Sequence, residues 1–139
     1  MLAAQLAFAH QVRGLRAAIE EMPYPLSDRA LKFLAFGDDQ FLFRGIARWL
    51  QDVGDGGGRL RPLRDYDYGR VVGWLEILDR LDGESDYGYS LAAHYFGAVT
   101  EDKKVKIIAE YLRGAAMARP ARRWPWLVWA ATHVRHPVT

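Results

Sequence analysis

No cysteine occurs among the 139 residues of this chain. That removes disulfide bracing, thiolate metal sites and cysteine nucleophiles together, and it leaves the compartment open. No run approaches the roughly 18 apolar residues that a membrane-spanning helix requires. The opening MLAAQLAFAH is apolar but short, and His10, Arg13 and Arg16 interrupt it too early for an anchor. It also lacks the basic leader and small-residue cleavage site of a secretory signal. A short helix lying in a membrane interface is compatible with this stretch, but an ordinary first helix explains it more simply. Charge of one sign is scarce, with a formal net of only +2. Strand patterning is missing as well. VVGWLEIL (residues 71–78) has β-branched residues, yet its apolar positions recur nearer every 3.6 residues than every two.

What is present is core material. Half the residues are hydrophobic and 13% aromatic, so disorder of the whole chain is excluded and one domain is the natural expectation. Helical periodicity dominates. A first helix over 1–21 ends at Pro23 and Pro25, since proline lacks an amide hydrogen and disfavours helix in the residue before it. Ser27 caps a short helix to Phe36, closed by Gly37. Asp38 and Asp39 open the next, to about Asp52, with Phe41, Ile46, Trp49 and Leu50 on its buried stripe. The glycine-rich GDGGGRLRP (54–62) follows as a flexible link. A helix from about Asp67 to Leu81 carries Tyr68, Val71, Val72, Leu75, Leu78 and Leu81 at helical spacing. Ser85 or Asp86 caps another, ended by Gly97; Thr100 caps the next, stopped by Pro120. RRWPWLVWAATHVRHPVT (122–139) is the last. The expectation is all-α: an N-terminal helix and Pro-containing linker over 1–26, then a helical-repeat domain over 27–139, about seven helices in total.

A weak internal repeat supports the helical-repeat reading. SDYGYSLAAHYFG (85–97) and RRWPWLVWAATHV (122–134) both place aromatics near the helix start and small residues at its middle. DDQFLFRGIARWL (38–50) takes the same role one pair earlier. Helix pairs recurring at such spacing are the signature of a solenoid. LDRLDGESDYGYSLAAHYFG (78–97) resembles the inter-repeat stretch of divergent tetratricopeptide-repeat proteins, and LKFLAFGDDQFLFRGIARWLQDVGD (31–55) is similar to the first helical unit of certain bacterial, often membrane-attached, members. The resemblance spans about 31–139, without the full consensus or its usual spacing. It implies antiparallel helix pairs stacked as a short right-handed solenoid, and a scaffold that binds proteins.

Motifs for chemistry are absent. His133 and His136 sit three apart, but no third ligand lies nearby and a helix C-terminus accounts for their charge. His94, beside Tyr95 and Phe96, reads as a core or groove histidine. Read from Asp82, a calcium loop would place Tyr87 where glycine belongs and Ala93 where a bidentate glutamate belongs, so DRLDGESDYGY is a connector. GDGGGR follows a helix and lacks the lysine of a phosphate cradle. Ser27, Ser85 and Ser90 have no nucleophile-elbow context, and the Asp38–Asp39 pair is explained by capping. The sequence therefore implies no enzyme, no cofactor and no metal.

The remaining signal is at the end of the chain. Residues 1–100 hold 11 Lys/Arg against 14 Asp/Glu, a balance of −3; residues 101–139 hold 8 against 3, a balance of +5. Lys103, Lys104, Lys106, Arg113, Arg119, Arg122 and Arg123 lie near Trp124 and Trp126, a mixture that can meet nucleic acid, although no nucleic-acid module matches and that partner is disfavoured. On a helical wheel the last helix is apolar on both sides, and a helix apolar all round is expected to be buried all round. In a repeat array a following helix would cover it, and none is expected within 135–139. Cover then comes from the N-terminal helix, from a second copy or from another protein. Trp and Arg are the types enriched at interface hot spots, so Trp124, Trp126, Trp129, Arg119, Arg122, Arg123 and His133 are the expected partner-binding residues. The expected role is a non-enzymatic subunit or assembly factor of a larger complex. An anionic membrane surface, met by this basic-aromatic end or by the first helix, is the alternative, and nucleic-acid binding a further one.

Overall fold

Ser27 and Asp38 do what short polar side chains do ahead of apolar periodic runs. The Ser27 hydroxyl accepts from the Ala30 amide at 3.3 Å and the Asp38 carboxylate from the Phe41 amide at 2.9 Å, each satisfying a donor that the helix itself leaves free. The computed structural model describes residues 22–53 and 62–133; the expected first helix, the glycine-rich link up to Arg61 and residues 134–139, including His136, lie outside them. Within the described residues the chain is all-α. Its helices are α1 (Asp28–Ala35), α2 (Asp39–Asp52), α3 (Tyr68–Leu81), α4 (Tyr87–His94), α5 (Asp102–Ala118) and α6 (Pro120–His133), with 3-10 turns at Leu63–Asp65 and Phe96–Ala98. None of these helices is long and apolar enough to cross a membrane.

Several boundaries differ from the sequence-based expectation. The cap of α5 is Glu101, not Thr100, and α4 stops at His94, with Phe96 and Gly97 in a separate tight turn. Pro120 both ends α5 and begins α6, where its missing amide hydrogen costs nothing. The buried stripe of α2 is turned by about one residue: Leu42, Phe43, Ile46, Ala47 and Leu50 are inside, while Phe41 is 65% exposed. Phe43 is drawn in to meet Tyr87 edge-on, and Trp49 is only half-buried, tilted onto Trp74 with ring centroids 4.7 Å apart.

Neighbours in the chain are mostly neighbours in space: α1 packs on α2, α2 on α3, and α5 on α6 most extensively, while α4 lies against α3 and α5. α3 and α5 run parallel. At their starts the Lys104 ammonium sits 5.6 Å from the Tyr68 ring centre, and at their ends Arg119 donates to the Gly83 carbonyl at 2.9 Å. Leu75, Ile77, Leu78, Tyr89, Phe96, Ile108 and Leu112 are enclosed between these helices, and each such side chain contributes on the order of 1.5–3 kcal/mol. The stretch before α1 joins the same core. Met22 is buried, Trp74 Nε1 donates to the Pro23 carbonyl at 2.9 Å, and Pro25 lies so close to Gly73 that a Cβ there would stand 2.5 Å from its ring.

Candidate protein-binding surface and the adjoining cleft

A single residue, Arg119, separates α5 from α6, so the two form a tight hairpin and only one side of α6 can face the core. Arg123 and Ala130 are buried there, with Trp126 and Trp129 half-buried beside them. Trp126 packs near Tyr89 and His94. The Trp129 indole covers Gly97, where a Cβ would stand 2.5 Å from Cη2; glycine is what permits the approach. His133 stacks on Trp129 with centroids 4.0 Å apart, and its Nδ1 bonds the Trp129 carbonyl at 2.9 Å.

No described residue covers the opposite side of α6. Trp124 is 59% exposed, Val128 51% and Leu127 36%, with Ala131 between them and Met117 of α5 61% exposed. The expectation that this helix is buried all round is therefore corrected. Neither α5 nor the turn before it reaches the second side.

Of the arginines expected to meet a partner, Arg123 is buried, while Arg119 and Arg122 stay exposed and pair with the 83–84 turn. Arg123 is 3% exposed, donates to Asp79 Oδ1 and to the Gly83 carbonyl at 2.8 Å each, and lies over the Tyr89 ring. It presents almost no surface, and its acceptors and counter-charge are internal, as a buried guanidinium requires. Arg119 reaches Gly83 and Glu84, and Arg122 holds both the side chain and the carbonyl of Glu84. The acidic 82–86 turn, a mere connector in sequence, is thus the counterpart of the basic end. Asp82 shapes it, accepting from the Gln40 amide and from the Glu84 and Ser85 backbone, which holds its carboxyl below the usual range.

Tyr89 donates to Asp79 as well. Burial, with the Asp79 carboxylate adding to it, pushes the Tyr89 hydroxyl well above its ordinary range. Tyr111 stacks on Tyr89 and is likewise raised by burial. Two buried polar atoms here, Tyr111 Oη and Arg123 Nε, have no hydrogen-bond partner. Both residues line an open cleft of about 960 Å³ between α3 and α5. Sequence reading missed this cleft because its walls come from helices whose parallel alignment no local pattern encodes. It also missed a second exposed aromatic group, Phe33, Phe36 and Phe41 at the α1–α2 turn, with Phe36 left-handed at φ 49°.

Among the described residues no group of three or more His, Asp or Glu side chains is placed to hold a metal ion. No protein-family model matches the chain, and no curated protein or solved structure matches it.

Proposed function

We propose that this chain is a non-enzymatic protein-binding module, a subunit or assembly factor of a larger complex, and that it docks through the outer face of α6. The observation that carries this reading is the uncharged stripe of Trp124, Leu127 and Val128 at i, i+3 and i+4, which has no cover among the described residues. Contiguous apolar surface of this kind marks interaction sites, and Trp is an interface anchor. The partner is another protein or a second copy of the chain. Arg123 is buried against Asp79 and the Gly83 carbonyl, and the stripe itself is uncharged, which favours a protein as the partner. We read the helices as part of a short right-handed tetratricopeptide-like stack of about seven; the parallel alignment of α3 and α5 supports the stacking of antiparallel pairs.

The test uses the tagged full chain recovered with its partner in mild detergent. Trp124→Ala combined with Leu127→Ser should lose stoichiometric recovery while leaving the thermal midpoint unchanged. Retention of the partner by the double variant, or recovery of the unaltered chain alone as a monomer, would defeat the reading.

A further inference from the structure

Among the described residues, α3 is enclosed on every side but one. α2, α4 and α5 pack against it, and the stretch before α1 covers a further side, where Arg70 donates to the Met22 carbonyl and Trp74 to that of Pro23, both at 2.9 Å. Pro25 follows over Gly73 and Asp28 reaches Arg80, so residues 22–28 run beside α3 in its own direction. The open side lies between this stretch and α5. From Arg70 to Leu81 only Glu76 and Arg80 stay exposed, and both line the α3–α5 cleft. The floor of the cleft is aliphatic: Val72, Ile107, Ala115 and Ala118, with Ile107 39% exposed and Gly114 adding no side chain. Glu76, Lys103 and Lys106 on its walls have no ion-pair partner among the described residues.

Residues 1–21 lie outside the described residues but join the chain at Met22, in this corner. Their sequence places Phe8, Val12, Leu15 and Ile19 at i, i+4, i+7 and i+11, the apolar stripe of a helix. Met22 sits at the start of α3, so a helix leading to it along the cleft must run antiparallel to α3 and α5. The register then follows from a rise of about 1.5 Å per residue. Lys104 is level with Tyr68, so Glu20 and Glu21, next to Met22, arrive beside Lys103 and Lys106. Arg16 stands six residues before Met22, as Glu76 stands six beyond Arg70, which sets Arg16 against the free carboxylate. Ile19 falls at Val72 and Ile107, Leu15 at Gly114, and Phe8 toward Ala118. The free charges of the cleft are two positive and one negative, and those that meet them are two negative and one positive. A segment tethered at the mouth is also present at an effective concentration on the order of millimolar, which favours it over a separate molecule.

We infer that residues 1–21 dock as a helix in the α3–α5 cleft of their own chain, with Phe8, Val12, Leu15 and Ile19 on its aliphatic floor and Arg16 paired with Glu76. Held there, they do not cover the outer face of α6, which stays open to a partner.

Because the chain has no cysteine, an introduced pair reports on this contact in the full protein. Leu15→Cys with Gly114→Cys should cross-link within one chain under a short bismaleimide. The reaction should be about ten-fold faster than for Leu15→Cys with Leu127→Cys, whose second site is on the outer face of α6. A Cβ at Gly114 meets nothing within 4 Å, so helix content should not change. Glu76→Arg should slow the cross-link about three-fold, the worth of an exposed ion pair, and adding Arg16→Glu should restore it. In the unaltered chain, amide exchange over residues 8–19 should be about ten-fold slower than in the isolated 1–21 peptide. Equal rates for the two cysteine pairs, or exchange as fast as in the peptide, overturns the docking. Cross-links formed only between chains, and lost on dilution, make a second copy the occupant and overturn the intramolecular contact. An unchanged rate in Glu76→Arg, or no recovery with Arg16→Glu, overturns the register.

Discussion

The two sides of α6 are built from the same residue types and meet opposite fates. Inward, Arg123, Trp126, Trp129 and Ala130 lock onto Asp79, Tyr89 and Gly97; outward, Trp124, Leu127 and Val128 lie open. The contrast teaches that hydrophobicity alone does not decide burial. What decides it is whether another element can reach the face, and a hairpin partner such as α5 reaches only one. Substitutions on the inner side should therefore register as stability, and those on the outer side as association.

Arg123→Ala should show the largest effect. It strips Asp79 of its counter-charge and opens a gap over Tyr89, and removing one partner of a buried pair costs about 3 kcal/mol. Chemical denaturation would measure it. The matching outer change, Trp124→Ala, should stay within about 0.5 kcal/mol; comparable losses would erase the distinction between the faces. Gly97→Ala should come next, at about 1–3 kcal/mol from overpacking against Trp129, read as a lower melting midpoint together with altered tryptophan fluorescence.

Alkaline titration sharpens the inner side further. Burial raises Tyr68, Tyr89 and Tyr111 well above the ordinary tyrosine range, with Glu101 adding at Tyr68, Asp79 at Tyr89 and the neighbouring Tyr89 at Tyr111. A raised folded-state pKa gives a contribution present in full below the unfolded value near 10 and lost as pH climbs toward the folded one. Absorbance titration should thus find at least three of the seven tyrosines ionising only as the fold is lost. The smallest effect belongs to Asp82. Its pKa is lowered by the Gln40 amide first and by backbone donors after it. Its contribution is therefore present above the unfolded value and fades as pH falls through the folded one. Asp82→Asn should flatten the acid limb of the stability curve slightly, seen by circular dichroism.

Much of the helix plan was legible because caps and breakers act locally. Ser27, Asp38, Asp67 and Pro120 each mark an end through a hydrogen bond or a missing one, and these need no knowledge of the rest of the chain. Phe41 shows where that stops. Two adjacent stripes on α2 are apolar enough to be buried, and the packing of α1, α3 and Tyr87 of α4 around the helix chooses Phe43 over Phe41. The acidic turn was hidden for the same reason: Glu84 is 35 residues from Arg119 and 38 from Arg122, and their pairing exists only once α3 and α5 lie side by side.

The sequence by itself determined that this protein is helical, where most helices begin, and that its last helix carries more apolar surface than one neighbour can cover. Periodicity and capping are properties of short stretches, so they survive without tertiary context. The tertiary structure alone decided which side of that helix is open, that Arg119, Arg122 and Arg123 meet Glu84 and Asp79, and that a cleft lies between α3 and α5. Those outcomes depend on which distant groups arrive within a few ångströms of one another, a quantity no local pattern contains.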